Sequence, residues 1–232
     1  MLESTSAMEE KQRLILASAS PRRKEILSLL GLPFETRPGT FIEPKRTGQN
    51  VFDYVLDLAK AKGRHVKAKE EELILSADTL VHLNGQILGK PASDEEAHQT
   101  LAALRGRDHE VYTALFLRDV SAGKTCQSVC RTLVTMRDWS MAEAQAYICT
   151  GSYRDKAGGY AIQDDVFHPV SKIEGCYANV MGLPLCHLKG MLEVFGLYTT
   201  VNLEEACQAY TRSTCDIYSE LLEHPQWECV KG

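Results

Sequence analysis

A short apolar strand that runs directly into a capped helix is the feature of this sequence that most constrains its fold. Residues 14–17 (LILA) are apolar enough for a buried strand, and the helix that follows has Ser20 as its N-cap and Pro21 as its first residue. Apolar residues at helical spacing continue to Leu30, and Gly31 is the expected stop. A buried strand followed at once by an amphipathic helix is a unit typical of α/β folds.

The rest of the chain repeats this alternation and adds a hairpin. Capping boxes predict helix starts at Ser93 and Ser140, Asn84-Gly85 is a hairpin turn signal, and two long strands are joined by SAGK. The other predicted elements are a helix from Asn50 to about Val66, a strand at 73–75 that ends in SADT, a strand after the Gly-rich DKAGGY, and a helix over GLPLCHLKGMLEVFG. We therefore expect a mixed α/β fold with one main twisted sheet flanked by helices.

The predicted organisation is one folded region between two extensions. Residues 1–12 are polar and are expected to form a flexible N-terminal extension. Residues 13–199 form the expected domain, since no convincing linker or internal repeat interrupts them. Residues 200–232 are expected to form a helical C-terminal extension.

Charge and composition exclude several classes of protein. The net charge of −5 disfavours a nucleic-acid duplex as the main partner, so any basic site must be local. The sequence has neither a run of about 20 apolar residues for a membrane span nor a secretory h-region near its start. Its eight cysteines show no metal-site or disulfide spacing, so free, mostly buried thiols and a cytoplasmic location are expected.

Three cations, Arg22, Arg23 and Lys24, occupy the first turn of the helix that Ser20 caps. A helix N-terminus carries partial positive charge, so each exposed cation there costs about 0.3–1 kcal/mol. One interpretation is three solvated side chains that bend away from the helix end, since exposed charges interact weakly. The other is an anion site, in which the free N–H groups of the first turn and two guanidinium groups converge on a polyphosphate.

Asp78 follows the predicted strand at 73–75 and is the second candidate for chemistry. It can cap the next turn, or it can serve as a metal ligand or a base near phosphates. Lys62 and Lys90 are further cations with either a surface or a site role, and Gln163 is an amide that can read a base edge through a donor and an acceptor. The sequence has no P-loop, GxSxG, HExxH or Ser-His-Asp signal.

Five short segments in series resemble the Maf family of nucleotide pyrophosphatases. They span about Leu14 to Leu197 in the family's order and are LASASPRRKEIL, SADT, LGKP, DKAGGYAIQ and NVMGLPL. The resemblance implies an elongated, Maf/ITPase-like α/β fold with a central cleft, and hydrolysis of nucleoside triphosphates to the monophosphate and pyrophosphate. The alternative from another class is a non-catalytic nucleotide-binding regulator of cell division and septation.

The resemblance also assigns roles to residues. Asp78 is the implied general base and, with Glu43, the implied ligand of a divalent cation, Mg or Mn. Thr79 and Gln163, together with Arg22, match the branch that resembles dTTP/UTP pyrophosphatases, so Thr79 and Gln163 are expected to face a pyrimidine base. The residues implied to hold the triphosphate are Ser20, Arg22, Arg23, Lys62 and Lys90. The expected partner is the nucleoside triphosphate, without a nucleic-acid duplex or a membrane, and a homodimer is left open.

Three departures from the family's pattern accompany the resemblance. Ser76 stands where the family usually has Gly, and Gly63 stands where it usually has Ala. After Gln163 the family usually has several glycines, whereas this chain has the sequence DDVF at residues 164–167. The first two departures concern a strand and a helix that carry candidate site residues, and the third concerns the loop that carries Gln163.

Overall fold

Eight strands and seven helices are formed in the described part of the chain, which covers residues 12–40, 50–215, 217–218 and 226–231 of this computed structural model. The strands are β1 (Arg13–Leu16), β2 (Phe34–Thr36), β3 (Glu72–Leu83), β4 (Gln86–Leu88), β5 (Asp108–Asp119), β6 (Lys124–Met136), β7 (Val170–Glu174) and β8 (Glu228–Lys231). The helices are α1 (Pro21–Ser28), α2 (Val51–His65), α3 (Asp94–Leu104), α4 (Met141–Cys149), α5 (Tyr177–Val180), α6 (Leu185–Glu193) and α7 (Leu203–Thr211). Apart from Gln12, the predicted N-terminal extension lies outside the described residues.

All eight of these strands belong to one mixed sheet. The strand order is β2-β1-β3-β5-β6-β7, with β4 paired to β3 and β8 paired to β6. β1 is parallel to β2 and β3, whereas the remaining pairs are antiparallel. The predicted mixed α/β fold is therefore confirmed.

Helices cover both faces of the sheet unequally. α2 packs on the face that carries Ala114 and Phe116 of β5. α1 and α6 pack on the opposite face, against Leu73 and Leu75 of β3, and α3 and α4 extend that layer around Val81. Within the described ranges, no helix is long and apolar enough to cross a membrane.

β3 is longer than the sequence predicts, and this changes the place of Asp78. The predicted strand at 73–75 extends from Glu72 to Leu83, so Asp78 lies inside the strand and not after its end. The reason is tertiary: β5 pairs with β3 along ten residues of the ladder, which holds the polar SADT segment extended. The Asn84-Gly85 turn is confirmed, with both residues at positive φ as a type I′ turn requires.

One local prediction is wrong. The segment after DKAGGY is not a strand: residues 157–159 form a single 3-10 turn, and the next strand is β7. Gly158 and Gly159 have consecutive φ values of +71° and +68°, which redirect the chain and bury Tyr160. The predicted helix start at Ser93 is confirmed, because Ser93 accepts from the Glu96 N–H, although the Glu96 carboxylate accepts from the Ala92 N–H and not from the Ser93 N–H.

The C-terminal extension joins the sheet. It begins with the expected helix, α7, but ends in β8, which pairs with β6 so that Cys126 lies opposite Cys229. These two cysteines form a disulfide, which corrects the expectation of free thiols for this pair. Their separation of 103 residues explains why spacing gave no signal. The other six cysteines are free, and only Cys130 and Cys176 are fully buried.

Gly63 and Ser76, two of the departures from the Maf pattern, are packing neighbours. A Cβ at Gly63 of α2 would lie 2.6 Å from the Ser76 Oγ and 2.8 Å from Cδ1 of Phe116. The Ser76 hydroxyl fills this space and donates to the Ala59 carbonyl of α2 at 2.7 Å. The two departures therefore compensate each other, because a larger residue on the strand accompanies a smaller one on the helix.

We expect a double-mutant cycle to measure this compensation. Gly63→Ala should lower the free energy of unfolding by about 1–3 kcal/mol, because the new methyl overlaps the serine hydroxyl. Adding Ser76→Gly should restore part of that loss, so that the double variant is more stable than the sum of the single effects predicts. Chemical denaturation of the four proteins supplies the measurement, and additivity within about 0.5 kcal/mol would contradict the compensation.

Candidate active site

A cleft opens where β3 continues past the end of β1. β1 ends at Leu16, which pairs with Leu75, and β4 begins to pair with β3 only at Val81. Between these points, residues 76–80 form an edge with no paired strand among the described residues. A cavity of about 680 Å³ lies at this edge, between the β1–α1 turn, the β3–β4 hairpin and the loop at 155–163.

The open edge makes both faces of β3 accessible to one cavity. Successive side chains of a strand point to opposite faces, so Asp78 and Thr79 lie on different sides of the sheet. Asp78 is on the side of α2, and Thr79 is on the side of α1 and α5. Both residues line the cavity. The cleft thus receives a carboxylate from one side and a hydroxyl from the other.

The start of α1 forms one wall of the cleft. Ser20 caps the helix and accepts from the Arg23 N–H at 3.4 Å, and Ser18 accepts from the Ser20 N–H at 3.2 Å. Arg22 and Arg23 line the cavity, whereas Lys24 is exposed and lies outside its lining. Two of the three cations at this helix N-terminus therefore face one cleft, which favours the anion-site hypothesis for them and the solvated interpretation for Lys24.

Arg23 is fixed by three hydrogen bonds. Its guanidinium donates to the Gly182 carbonyl at 2.8 Å, to Thr79 Oγ1 at 3.0 Å and to Ser18 Oγ at 3.4 Å. Burial lowers the pKa of Arg23, while the Asp78 carboxylate opposes this shift. A guanidinium has five N–H groups, so two remain after these bonds to described residues. These two N–H groups can bind an anion in the cleft.

Arg22 is paired with an acid from across the cleft. Its guanidinium contacts the Asp155 carboxylate at 2.7 Å and the Asp155 carbonyl at 3.3 Å. Burial raises the pKa of Asp155, but Lys156 and Arg22 outweigh it and leave the pKa below its usual value. In this arrangement Arg22 ties α1 to the loop at 155–163, a role that the sequence did not indicate.

Asp78 forms an ion pair with Lys62 of α2. The Asp78 side chain is only 9% exposed, whereas the Lys62 side chain is 23% exposed. An ammonium group beside a buried carboxylate offsets part of the cost of burying its charge. The pair therefore holds a negative charge at the floor of a cleft whose other wall is cationic.

The remaining predicted site residues divide into two groups. Lys90 and Gln163 are exposed and line the cavity from the hairpin and from the loop at 155–163. Glu43, the predicted second metal ligand, lies outside the described residues. The structure thus brings Ser20, Arg22, Arg23, Lys62, Asp78, Thr79, Lys90 and Gln163 to one cleft.

Sequence reasoning missed two contributors to the cleft. Gly182, at φ +103°, accepts from Arg23, and a Cβ there would lie 3.1 Å from Thr79 Oγ1. Tyr160 lines the cavity and its hydroxyl contacts Nε2 of buried His109 at 2.7 Å. Burial lowers the pKa of His109 to about 4, so the imidazole is neutral at pH 7. Both Gly182 and Tyr160 lie within quoted motifs, but no local pattern showed their partners.

The loop after Gln163 closes without the family's glycines. The Asp164 carboxylate accepts from the N–H groups of Val166 and Phe167 at 3.1 and 2.7 Å. The buried Phe167 ring stacks on Tyr147 at a centroid distance of 4.5 Å. An Asx turn and an aromatic anchor therefore fix this loop in place of glycine.

Comparison with known proteins identifies relatives over most of the chain. A family model described as Maf-like protein matches residues 13–195. The dTTP/UTP pyrophosphatase of Geotalea uraniireducens is 41% identical over 190 residues, covering 82% of this chain and 98% of the relative. The dTTP/UTP pyrophosphatase of Moorella thermoacetica is 43% identical over 192 residues, covering 80% and 96%. Among solved structures, a nucleoside-triphosphatase / dITP/XTP pyrophosphatase from Mycobacterium abscessus aligns with 15% identity and a TM-score of 0.35, covering 55% of this chain and 75% of that chain.

We expect the two members of the Lys62–Asp78 pair to differ in their effect on stability. Lys62→Met removes the ammonium from a buried carboxylate and should lower the free energy of unfolding by about 1–3 kcal/mol. Asp78→Asn removes the buried charge and leaves a lysine that can reach solvent, so its cost should be smaller. Urea denaturation at pH 7 measures both, with Lys60→Met as the matched lysine control, and an equal cost for the two variants would contradict this interpretation.

Proposed function

The chain belongs to the Maf family, and on that basis we propose that it hydrolyses dTTP and UTP to the monophosphate and pyrophosphate. The names of the relatives support this substrate class. The observation that carries the proposal is the position of the Asp78–Lys62 pair in the same cleft as the cationic start of α1. A carboxylate next to a polyphosphate site is what hydrolysis by an activated water requires.

The cationic wall is the proposed triphosphate site. Arg23 has two N–H groups to donate, and the first turn of α1 adds backbone N–H groups and the positive end of the helix dipole. Lys90 is exposed and lines the cleft, where its ammonium group can bind the β- and γ-phosphates. Arg22 can join them by exchanging Asp155 for a phosphate oxygen, since both offer bidentate oxygen acceptors.

Asp78 is the proposed base. Its carboxylate would accept a proton from the water that attacks the α-phosphorus, and pyrophosphate would then leave along the cationic wall. Lys62 holds the carboxylate in place and supplies a positive charge close to the reacting phosphate. The Asp78 carboxylate at the open edge would thereby orient and activate the nucleophile.

A divalent cation, Mg or Mn, fits the donor set only together with the substrate. Among the described residues, no group of three or more histidine, cysteine or carboxylate side chains is arranged to hold a metal ion. Mg²⁺ commonly uses one or two carboxylates and takes its other ligands from phosphate and water, and Asp78 can provide one such ligand. When bound, the ion neutralises charge on the phosphates. Glu43 stays a prediction as its second protein ligand.

The nucleobase contacts and the biological setting complete the proposal. Thr79 and Gln163 are proposed to face the pyrimidine. The alternative, a non-catalytic regulator of septation, is not favoured, because relatives that match most of the chain are named for pyrophosphatase activity. The cytoplasmic location and the homodimer stay predictions.

Pyrophosphate release from a nucleotide panel tests the proposed function. We expect dTTP and UTP to yield monophosphate and pyrophosphate, with activity lost on chelation and restored by Mg²⁺ or Mn²⁺. Chromatography of the nucleotide products, with a coupled assay for pyrophosphate, provides the measurement. Release of nucleoside diphosphate and orthophosphate would contradict the proposed choice of bond, and absence of turnover with every nucleotide and both metals would favour the regulator.

We expect Asp78→Asn to lower kcat by at least about a hundredfold, because the amide keeps the shape of the carboxylate but cannot take a proton. Binding of UMP should change little, since the cationic wall is intact. Steady-state kinetics with UTP measure the effect, and Asp53→Asn on the exposed face of α2 is the matched control. Activity near that of the unmodified protein would show that another residue is the general base, with Glu43 the next candidate.

A further inference from the structure

Four groups form a continuous series of hydrogen bonds behind the cleft. Arg23 Nη2 donates to Thr79 Oγ1 at 3.0 Å, Thr79 Oγ1 lies 3.0 Å from Thr113 Oγ1, and Thr113 Oγ1 donates to the Asn179 carbonyl at 2.9 Å. The two threonines lie directly opposite each other in the β3–β5 ladder. Thr113 is fully buried, whereas Thr79 is half-buried and lines the cavity. Of the two threonines, Thr79 is therefore the one that can meet a ligand.

The direction of each hydrogen bond follows from counting protons. A hydroxyl has one proton to donate, and that of Thr113 goes to the Asn179 carbonyl. The contact between the two hydroxyls must then use the proton of Thr79. A guanidinium cannot accept, so Arg23 is the donor in its contact with Thr79. Thr79 Oγ1 thus accepts once, donates once and has one lone pair left.

The acceptor at the end of the series is held firmly. The Asn179 side chain donates to the Val111 carbonyl at 3.0 Å and to Thr132 Oγ1 at 2.9 Å, which ties α5 to β5 and β6. Thr132 Oγ1 also donates to the Cys176 carbonyl at 3.0 Å, just before α5 begins. Because α5 is fixed on two strands, the Asn179 carbonyl that accepts the hydrogen bond from Thr113 is held in place.

A hydroxyl that can only accept has a restricted choice of ligands. Phosphate oxygens are acceptors themselves, so Thr79 does not suit the triphosphate and is better placed toward the sugar or the base. Uracil and thymine carry an N–H at N3, whereas cytosine has a lone pair at that position. At N3, the free lone pair of Thr79 therefore matches uracil and thymine and opposes cytosine.

We infer that Thr113 is a positioning residue that sets the base specificity of the cleft by holding the proton of Thr79. This inference rests on the proposed function, since it names how the same site selects among pyrimidine nucleotides. Without the Thr113 hydroxyl, the Thr79 proton is free to rotate toward the cleft and donate to cytosine N3. Whether Thr79 Oγ1 accepts or donates a hydrogen bond separates uracil and thymine from cytosine. Guanine also has an N–H on this edge and must be excluded by other contacts.

The test compares UTP with CTP, which share the same sugar and triphosphate. Thr113→Val removes the hydroxyl at nearly constant volume, and Thr113→Ser keeps it. We expect Thr113→Val to lower the ratio of kcat/KM for UTP to that for CTP by about tenfold, as one hydrogen-bond mismatch would. Thr113→Ser should restore most of the ratio. Ser128→Ala is the matched control, because it removes another buried hydroxyl, bonded to the Gln226 carbonyl, outside the cleft.

Other outcomes are equally decisive. An equal loss for UTP and CTP in Thr113→Val would overturn the inference, because it would show a contribution to folding or to sugar binding only. A wild-type protein that does not distinguish UTP from CTP would overturn it as well. If Thr113→Val does not fold, Thr113→Ala removes the same hydroxyl and should lower the ratio in the same way.

Direct binding separates this inference from the proposed function. Calorimetry with UMP and CMP measures base preference without turnover. If the protein releases no pyrophosphate but binds UMP more tightly than CMP, with Thr113→Val reducing that difference about tenfold, the proposed function fails and the inference stands. If the protein hydrolyses UTP but Thr113→Val leaves the ratio of kcat/KM for UTP to that for CTP unchanged, the inference fails and the proposed function stands.

Discussion

Two consecutive residues of β3, Asp78 and Thr79, place their side chains on opposite faces of the sheet, and one ligand can meet both only where the strand has an open edge. The sheet provides such an edge because β1 ends at Leu16 while β3 continues to Leu83. α2 then brings Lys62 to one face, and α1 brings Arg23 to the other. The cleft is therefore a consequence of unequal strand lengths.

The same geometry explains the charges at the start of α1. A helix N-terminus disfavours cations, yet Arg22 and Arg23 are both partly buried there. Asp155 offsets one of these charges, and the Asp78 carboxylate offsets part of the other, since it opposes the lowering of the Arg23 pKa that burial causes. These acids reduce the electrostatic cost of the cationic wall before an anion binds, and Arg23, which lines the cleft, keeps two N–H groups beyond its three hydrogen bonds to described residues. The local electrostatic cost is balanced by residues that come from distant parts of the chain.

The sequence predicted much of this architecture because its signals are local. Ser20 and Pro21 define the start of α1, Asn50 caps α2, and Asn84-Gly85 forms the hairpin, as their types require. Features set by distant partners were not predictable in this way. The length of β3 depends on pairing with β5, the disulfide depends on β8 meeting β6, and the Arg22–Asp155 pair spans the cleft. The resemblance named Thr79 as a site residue, but the direction of its hydroxyl depends on Thr113, which no motif contains.

In the proposed reaction, the open edge of β3 directs water to the α-phosphorus of a bound nucleoside triphosphate. Hydrolysis of UTP in ¹⁸O-enriched water, followed by mass spectrometry of both products, identifies the phosphorus that water attacks. Attack by water at the α-phosphorus predicts that the label enters UMP and that pyrophosphate contains none. Label in pyrophosphate, or in orthophosphate formed beside UDP, would contradict the account, since the attacked phosphorus would then lie elsewhere along the cationic wall.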